Sequence, residues 1–385
     1  MNRKYRVAVI GTGLIGATSH IPAYQALSDR CEIIAVCDNR KEAAEFVAKR
    51  NGIEKVYTDS AQMLEECRPD IVSVCTPNRY HKDCTIAALK AGAHVICEKP
   101  VCMTYADICE VYETARQCGR LFIPCHNNRF GQRETIRNLV KEGLLGDVYF
   151  GELECVRRRG IPDWGAFHLA SESIGGPFCD VGVHFVDSLL FMLGNPEFES
   201  IYGMTAAMLA KQTEEEEKPA AGTQDAFLRR PYHGSEFSVE DHAAGSIRFQ
   251  NGLFVNFKFS WALNAPECDG IRLAGSKAGF VYDKLARDQY RLYGMMGKDM
   301  ADTILDLHTR YEVKGMENPG HYLLIRHFLN VCDGVEEMMI TEAEIRNLTA
   351  ILEAFYLSAK RGNYRINRAA GCGTWTDSQH FDKMK

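Results

Sequence analysis

The chain has 385 residues, 25% of them charged, and a formal net charge of -6 at pH 7. This length suffices for two domains with separate cores. The acidic balance, with no basic stripe to offset it, argues against a nucleic-acid partner. No apolar run reaches the roughly 18 residues that a membrane-spanning helix needs. No secretory signal precedes the first predicted strand, so we expect a cytoplasmic protein.

The first 125 residues alternate predicted strands with predicted helices. The strands are short runs of apolar, often β-branched residues, and the helices show apolar residues at helical spacing. This alternation predicts a doubly wound parallel sheet with helices on both faces, an α/β fold. The predicted strands are Tyr5–Ile10, Glu32–Cys37, Ile71–Cys75, His94–Cys97 and Leu121–Pro124, and the predicted helices include Lys41–Asn51, Ser60–Glu66, His81–Ala91 and Tyr105–Cys118.

A glycine-rich motif, Gly11-Thr12-Gly13-Leu14-Ile15-Gly16, follows the first strand. In a dinucleotide-binding βαβ unit the first glycine allows the tight turn, the second lets the backbone approach a pyrophosphate, and the third lets helix and strand pack closely. The N–H groups at the helix start then hold the phosphates. The next strand ends in Asp38, at the spacing where an acid binds the adenosine ribose diol.

The cofactor prediction is therefore NAD rather than NADP. Asp38 should accept hydrogen bonds from the ribose diol and repel a 2′-phosphate. Arg40, two residues further on, is the exception to this reasoning, because an arginine can pair with that phosphate. NADP thus stays open as the less favoured cofactor.

Two further segments end predicted strands of this sheet. Cys75-Thr76-Pro77-Asn78 is one, and Thr76 and Asn78 are candidates to contact cofactor ribose or phosphate. The alternative is an ordinary turn built from Pro and Asn. Glu98-Lys99-Pro100 is the other. A lysine there can polarise a substrate oxygen and can have a lowered pKa when partly desolvated, and the alternative is a solvent-facing lysine.

The pattern changes after about residue 126. Several predicted strands follow one another without helices between them, which indicates a mostly antiparallel sheet in a second, α+β domain. We assign residues 1–125 and 126–361 to the two domains and 362–385 to a tail without clear periodicity. The predicted elements are a helix at Glu134–Glu142, strands at Asp147–Arg157, Ser246–Gln250, Leu253–Trp261, Gly270–Ala274 and Phe280–Tyr282, and a helix at Thr341–Arg361.

Two local signals refine this second half. Thr341 and Glu344 have the spacing of a capping box at the start of the last helix. The stretch Lys211–Glu236, with its acidic run Glu214–Glu217, indicates a solvated loop or insertion.

An acid and a histidine follow a glycine-rich run in the segment from Gly175 onwards. Pro177 suits the first turn of a helix. Asp180 and His184 are four residues apart and should share a helix face, which Asp187 could join. A carboxylate beside an imidazole can orient it and raise its basicity. The alternative is a helix N-terminal acid near a buried, hydrogen-bonded histidine.

With these motifs the chain resembles the glucose–fructose oxidoreductase / inositol dehydrogenase (Gfo/Idh/MocA) family from about Tyr5 to Arg361. The resemblance implies a Rossmann domain joined to a domain with an open, mostly antiparallel sheet. It implies oxidation or reduction of sugars, sugar derivatives or cyclitols with NAD(P). It also implies a homodimer or homotetramer, because the open sheet face of the family often forms such assemblies.

The resemblance also implies roles for individual residues. Lys99, Asp180 and His184 match the catalytic motifs of the family, and the glycine-rich turn, Asp38 and Glu98 match its cofactor site. His81 is a further cofactor candidate, although a structural role suits it better. The implied substrate contacts, besides the three catalytic residues, are Asn128 in His126–Phe130 and Arg157 and Trp164 in Arg157–Gly165.

We expect a dehydrogenase acting on the CH–OH group of a sugar, glycoside or cyclitol. His184 would take the hydroxyl proton, Lys99 would stabilise the developing alkoxide, and Asp180 would orient His184 or a substrate hydroxyl. The roles of Lys99 and His184 are interchangeable at this stage. Two alternatives remain: an NAD-dependent glycoside-cleaving enzyme on the same fold, and a nucleotide-binding regulator without catalysis.

The 15 cysteines are an odd number, and no two of them have the C-x-x-C spacing of a zinc site or a redox motif. Several, such as Cys37, Cys75 and Cys97, lie in apolar segments. We interpret them as small buried side chains in a reducing compartment, and we predict no metal site.

Overall fold

The structure is a computed structural model that describes residues 3–210, 226–230, 232–287, 289–307, 313, 319–368 and 375–377. The acidic run Glu214–Glu217 and most of the predicted loop Lys211–Glu236 lie outside these residues. Two β-sheets organise the described chain, one of six strands and one of ten.

The six-stranded sheet is parallel throughout and has the order β3-β2-β1-β4-β5-β6. The central strands are buried on both faces, which explains their continuous apolar sequences. The doubly wound sheet is thus confirmed, and one short edge strand, β3, was not predicted. The strands are β1 (Tyr5–Ile10), β2 (Cys31–Cys37), β3 (Lys55–Tyr57), β4 (Ile71–Val74), β5 (His94–Cys97) and β6 (Phe122–Pro124).

The helices of this half begin and end where local chemistry dictates. Asp59 and Thr104 cap α3 and α5 through their side chains. Gly52 and Gly119 end α2 and α5 in the left-handed conformation that glycine adopts without strain. These helices are α1 (Ile21–Ala26), preceded by a π-helical turn at Gly16–His20, and α2 (Lys41–Asn51), α3 (Ser60–Cys67), α4 (His81–Lys90) and α5 (Tyr105–Cys118).

The ten-stranded sheet has the order β14-β13-β12-β11-β7-β10-β9-β8-β15-β16. Only β7 and β10 pair in parallel among its described ladders, so the mostly antiparallel sheet is confirmed. The strands are β7 (Val148–Val156), β8 (Phe198–Ala206), β9 (His242–Phe249), β10 (Phe254–Ser260), β11 (Cys268–Gly275), β12 (Gly279–Asp283), β13 (Tyr290–Met296), β14 (Asp299–Ile304), β15 (Ile366–Arg368) and β16 (Trp375–Asp377).

Several of these strands correct the sequence analysis. β8, β13 and β14 were not predicted. The sequence of the tail shows no clear periodicity, yet β15 and β16 lie in it, because β15 pairs with the backbone of β8 and β16 pairs with β15. Backbone pairing with a distant strand leaves no periodic signal in so short a segment.

Five helices accompany the second sheet: α6 (Gln132–Lys141), α7 (Ala170–Ser173), α8 (Val183–Met192), α9 (Gly320–Cys332) and α10 (Glu342–Lys360). The predicted capping box of α10 is present. This helix lies on β8 and contacts α5 and α8, which ties the two halves together. Among the described residues, the stretch Ala170–Met192 alone is long and apolar enough to span a membrane, and it is 78% buried inside the protein, as a core helix is.

Candidate active site

A cleft of about 800 Å³ is lined by the loops that follow the parallel strands and by residues of the second half of the chain. Loops at this edge of a doubly wound sheet face the ligand. Two predicted site residues, Thr12 and Gly16, are absent from its wall. The predicted residues that line it are Gly11, Gly13, Leu14, Ile15, Asp38, Arg40, Thr76, Asn78, His81, Glu98, Lys99, Asn128, Arg157, Trp164, Asp180 and His184.

The glycine-rich turn leaves one side of the cleft open. Gly11 has a φ of 97°, and a Cβ there would lie 2.4 Å from the Cys75 carbonyl oxygen. A Cβ on Gly16 would lie 2.2 Å from the Gly11 oxygen, whereas a Cβ on Gly13 would meet nothing within 4 Å. Gly11 and Gly16 therefore serve close backbone packing, and Gly13 faces free space that a pyrophosphate can fill.

Asp38 is fixed at the end of β2. Its Oδ2 accepts hydrogen bonds from the Thr12 amide at 2.9 Å and the Thr12 hydroxyl at 3.0 Å, and its Oδ1 accepts from the Arg40 amide at 3.0 Å. The Arg40 guanidinium instead donates to the carbonyls of Leu228 and Arg229. The carboxylate thus lines the cleft in a fixed position, while Arg40 is engaged with the chain itself.

The loop after β4 contributes an unsatisfied polar atom. The Thr76 hydroxyl oxygen is buried without a hydrogen-bond partner in the described structure. Asn78 donates to the Ser173 carbonyl oxygen at 2.8 Å. His81 places both ring nitrogens on backbone carbonyls, those of Thr76 at 2.7 Å and Pro100 at 2.8 Å, so its role in the cleft wall is structural. The open face at Gly13, the fixed Asp38 and the unpaired Thr76 hydroxyl together fit a dinucleotide.

Lys99 and Asp180 form an ion pair at the centre of the cleft. Lys99 Nζ donates to Asp180 Oδ1 at 3.1 Å and to its main-chain oxygen at 2.9 Å. The indole of the fully buried Trp261 donates to Asp180 Oδ2 at 3.2 Å. Burial alone would lower the pKa of Lys99, but the carboxylates of Asp180 and Glu98 hold it above its usual value. The lowered lysine pKa considered from the sequence is therefore wrong.

His184 lies on the same cleft wall with a different partner. Its Nδ1 is 3.1 Å from Asn128 Nδ2, and no hydrogen bond joins it to Asp180 within the described residues. Asp180 lies in a π-helical turn, Phe178–Gly182, and its carboxylate contacts Lys99 and Trp261 instead. The expectation that Asp180 orients His184 is not met. Burial, and then the charge of Lys99, hold the pKa of His184 well below its usual value, so the imidazole is neutral at neutral pH.

Asp187 does not join the pair. It is buried and accepts three hydrogen bonds from the fully buried Arg129, which also donates to Glu344 at 2.7 Å. His126 Nδ1 lies 3.5 Å from the same carboxylate, and burial lowers the pKa of His126 to about 4. This network fixes the segment that carries Asn128, immediately before Arg129.

Glu98 is buried at the base of the cleft. Its Oε1 lies 2.9 Å from His20 Nε2 and 3.1 Å from His321 Nε2. Burial would raise the pKa of Glu98, but the two imidazoles hold it well below its usual value. With Cys125 these groups have the composition of a metal site. The distances are those of hydrogen bonds, and the outer nitrogens contact Ser73 and Asn127, so the cluster is satisfied as an internal network.

The two predicted substrate-loop residues occupy different surroundings. Arg157 lines the cleft and donates to the Gly160 carbonyl at 3.1 Å. Trp164 lines it too, but its ring packs with the apolar cluster of the first sheet that includes Val9, Ile21 and Phe227. Trp164 thus packs against the dinucleotide-binding unit, and its contact with substrate stays a prediction.

Three residues of the site were not predicted from the sequence. Trp261 positions Asp180, and His20 and His321 hold Glu98. His20 has a usable signal, since it follows the third glycine of the motif by one helical turn. Trp261 and His321 have none, because their partners are 81 and 223 residues away. The 14 described cysteines are free, and Cys372 lies outside the described residues.

A glycine-rich turn, a fixed acid after the second strand and a buried lysine–carboxylate pair in one cleft are the features of a dinucleotide-dependent oxidoreductase. The family model for the oxidoreductase family with an NAD-binding Rossmann fold, GFO_IDH_MocA, matches residues 5–126, and the model for the GFO/IDH/MocA C-terminal domain matches residues 134–281. The chain belongs to the Gfo/Idh/MocA family. The predicted family, fold class and NAD-binding oxidoreductase character are confirmed.

Individual relatives agree with this assignment. The chain is similar to a D-glucoside 3-dehydrogenase of Escherichia coli K12, with 32% identity over 93% of this chain and 96% of that protein. Its fold is similar to that of an oxidoreductase domain protein from Kribbella flavida, with a TM-score of 0.77, 19% identity and coverage of 98% and 99%. It is also similar to that of levoglucosan dehydrogenase in complex with NADH, with a TM-score of 0.75, 19% identity and coverage of 97% and 99%.

Proposed function

We propose that this protein oxidises a hydroxyl of a sugar, glycoside or cyclitol with NAD, or reduces the corresponding ketone with NADH. The observation that carries this proposal is the position of a charged lysine and a neutral histidine, Lys99 and His184, on the wall of the cleft that also holds the glycine-rich turn. The D-glucoside 3-dehydrogenase, similar over nearly the full length of both chains, supports a polyhydroxylated substrate.

The catalytic roles follow from the two protonation states. NAD, when bound, supplies the hydride acceptor. Lys99 stays protonated beside Asp180, so it donates a hydrogen bond to the reacting oxygen and stabilises negative charge there. His184 is neutral and accepts the hydroxyl proton. Asp180 and Trp261 hold the ammonium in place.

Proton acceptance by His184 also depends on its tautomer. A proton-accepting Nε2 requires the proton on Nδ1, and Nδ1–H then donates to the amide oxygen of Asn128. Rotating the Asn128 amide by half a turn brings that oxygen to the position of Nδ2, 3.1 Å from Nδ1. Asn128 thus acts as a positioning residue for His184 rather than as a direct substrate ligand.

These roles predict a pH dependence. With His184 as the base, activity requires its neutral form, which is present above its lowered pKa. We expect kcat/KM to stay constant as pH falls through 6.5, the ordinary histidine value, and to decline only below it. With Lys99 as the base, kcat/KM would instead rise towards its raised pKa, above 10.5. A pH profile of kcat/KM in constant ionic strength distinguishes these roles.

Cofactor choice gives a second prediction. Asp38 is fixed by Thr12 and the Arg40 amide, and the Arg40 guanidinium is engaged by two carbonyls. We expect kcat/KM to favour NAD over NADP by at least about tenfold, equivalent to about 1.4 kcal/mol. Asp38→Ala should reduce this ratio by improving the use of NADP. Equal or better kcat/KM with NADP in the unaltered protein would contradict the assignment.

The activity itself is tested with a panel of sugars, glycosides and inositols, each with NAD and with NADP, followed at the absorbance band of the reduced nicotinamide. Net NADH formation supports a dehydrogenase. Release of the aglycone without net NADH supports the glycoside-cleaving alternative. Binding of NAD without turnover of any compound supports the regulator.

We also propose that residues 1–125 bind the cofactor, that residues 126–361 bind substrate and mediate assembly, and that the protein is a cytoplasmic homodimer or homotetramer. The outer face of the second sheet supports assembly. Tyr202 and Phe254 are exposed on it, 46% and 39% respectively, and Phe150 lies opposite Phe254 in the β7–β10 ladder. Light scattering after gel filtration should give the molar mass of a dimer or tetramer. Phe254→Glu should shift the measured mass towards that of the monomer.

A further inference from the structure

The part of the cleft formed by the second half of the chain carries more cations than acids. Within the described residues from Asn127 onwards, the acids in its wall are Asp180 and Asp269. Asp180 pairs with Lys99, and Asp269 lies 3.4 Å from Lys284. Three arginines of this wall have no acidic partner in any described ion pair: Arg133, Arg157 and Arg230.

Arg133 is half-buried in this wall. It lies in the first turn of α6, where the helix dipole adds positive potential. Its guanidinium carbon is 5.2 Å from the centre of the Tyr282 ring, and its Nε is buried without a hydrogen-bond partner. Tyr282 in turn stacks on Tyr290 at 5.0 Å, which holds the ring in place. The guanidinium is thus positioned by its neighbours but not neutralised by them.

A guanidinium keeps its charge at every physiological pH, and a partly buried charge is costly without a counter-ion. The glycine-rich turn, where the pyrophosphate of the cofactor is expected, belongs to the first sheet, whereas Arg133 and Tyr282 lie in α6 and β12 of the second half. Arg133 is near the reacting groups, since after burial and the charges of Lys99 and His126 it also contributes to lowering the pKa of His184. The counter-ion that suits this position of Arg133 is an anionic group on the substrate.

We propose that Arg133, backed by the ring of Tyr282, binds a carboxylate of the substrate, so that the preferred substrate is a sugar or glycoside bearing a carboxylate, a uronide rather than a neutral hexoside. This inference rests on the proposed dehydrogenase function. The planar fork of a guanidinium matches a carboxylate with two parallel hydrogen bonds, which are stronger than bonds to a neutral hydroxyl.

The test compares methyl β-D-glucuronide with methyl β-D-glucoside. The two differ only at C6, which is a carboxylate carbon in the glucuronide and a hydroxymethyl carbon in the glucoside. We expect kcat/KM with NAD to favour the glucuronide by at least about tenfold, and calorimetry to show tighter binding of the glucuronide. Arg133→Gln should bring both ratios towards one. Arg133→Lys, which keeps the charge but lacks the fork, should give intermediate ratios.

The matched control is Arg326→Gln. Arg326 also lies over a tyrosine ring, that of Tyr322 at 5.7 Å, but it is exposed and outside the cleft wall, so both ratios should be unchanged. A higher kcat/KM for the neutral hexoside contradicts the proposed carboxylate site. So does an equal loss of kcat/KM for both sugars in Arg133→Gln. Oxidation of neutral sugars alone overturns it and leaves the dehydrogenase function intact. If no sugar reduces NAD, the proposed function fails, and calorimetry still decides whether Arg133 selects the carboxylate.

Discussion

Lys99→Met is expected to lower kcat by roughly 10²–10³, the range typical of losing a donor that stabilises developing negative charge. The substitution keeps the length of the side chain but removes the charge that lies 3.1 Å from Asp180 Oδ1. The reacting oxygen then lacks its hydrogen-bond donor, and Asp180 loses its counter-ion. NAD should still bind, because Asp38 and the glycine-rich turn are untouched. Steady-state kinetics and calorimetric titration with NAD measure the two effects separately.

Lys90→Met is the matched control, because Lys90 is exposed at the end of α4, away from the cleft wall. It should leave kcat and NAD affinity at the values of the unaltered protein. A kcat for Lys99→Met within tenfold of the unaltered protein would remove Lys99 from the reacting site. Loss of NAD binding together with a lower Tm would assign Lys99 a structural role instead.

Arg129→Met is expected to lower the free energy of unfolding by about 3–5 kcal/mol, the cost of removing one partner from a buried ion pair. Arg129 is fully buried and holds Asp187 and Glu344, so its loss leaves two buried carboxylates without their counter-ion. Arg129→Lys keeps the charge but loses the fork, and it should cost less. Denaturant titration followed by circular dichroism measures the difference.

The control for this prediction is an arginine with similar partners at the surface. Arg116 pairs with Glu113 at 2.7 Å and Glu342 at 2.6 Å but is half exposed. Arg116→Met should leave the denaturation midpoint close to that of the unaltered protein, because water screens exposed pairs. If the two methionine variants have the same midpoint, the buried network does not stabilise the fold as described.

The first half of the fold could be predicted from the sequence because the patterns that specify its strands and turns are local. A buried parallel strand needs a continuous apolar run, and a tight turn at a φ of 97° needs Gly11. The capping box of Thr341 and Glu344 is equally local, since its two residues are three positions apart. The second half of the fold could be predicted less completely. β15 exists because β8 offers it a backbone partner, and no spacing within Ile366–Arg368 records that pairing.

The sequence by itself determined the dinucleotide-binding turn and the acid that follows the second strand, because both depend on residue type and short-range spacing. The family resemblance implied that Lys99, Asp180 and His184 share one site. Which group each side chain contacts was decided by the tertiary structure alone.

Helical spacing placed Asp180 beside His184, yet Asp180 pairs with Lys99 and Trp261, and Asn128 holds His184. The physical reason is that a buried charge takes the counter-ion or donor that folding brings to it. Those donors lie 81 residues away for Asp180 and 56 residues away for His184, distances over which sequence spacing carries no geometry.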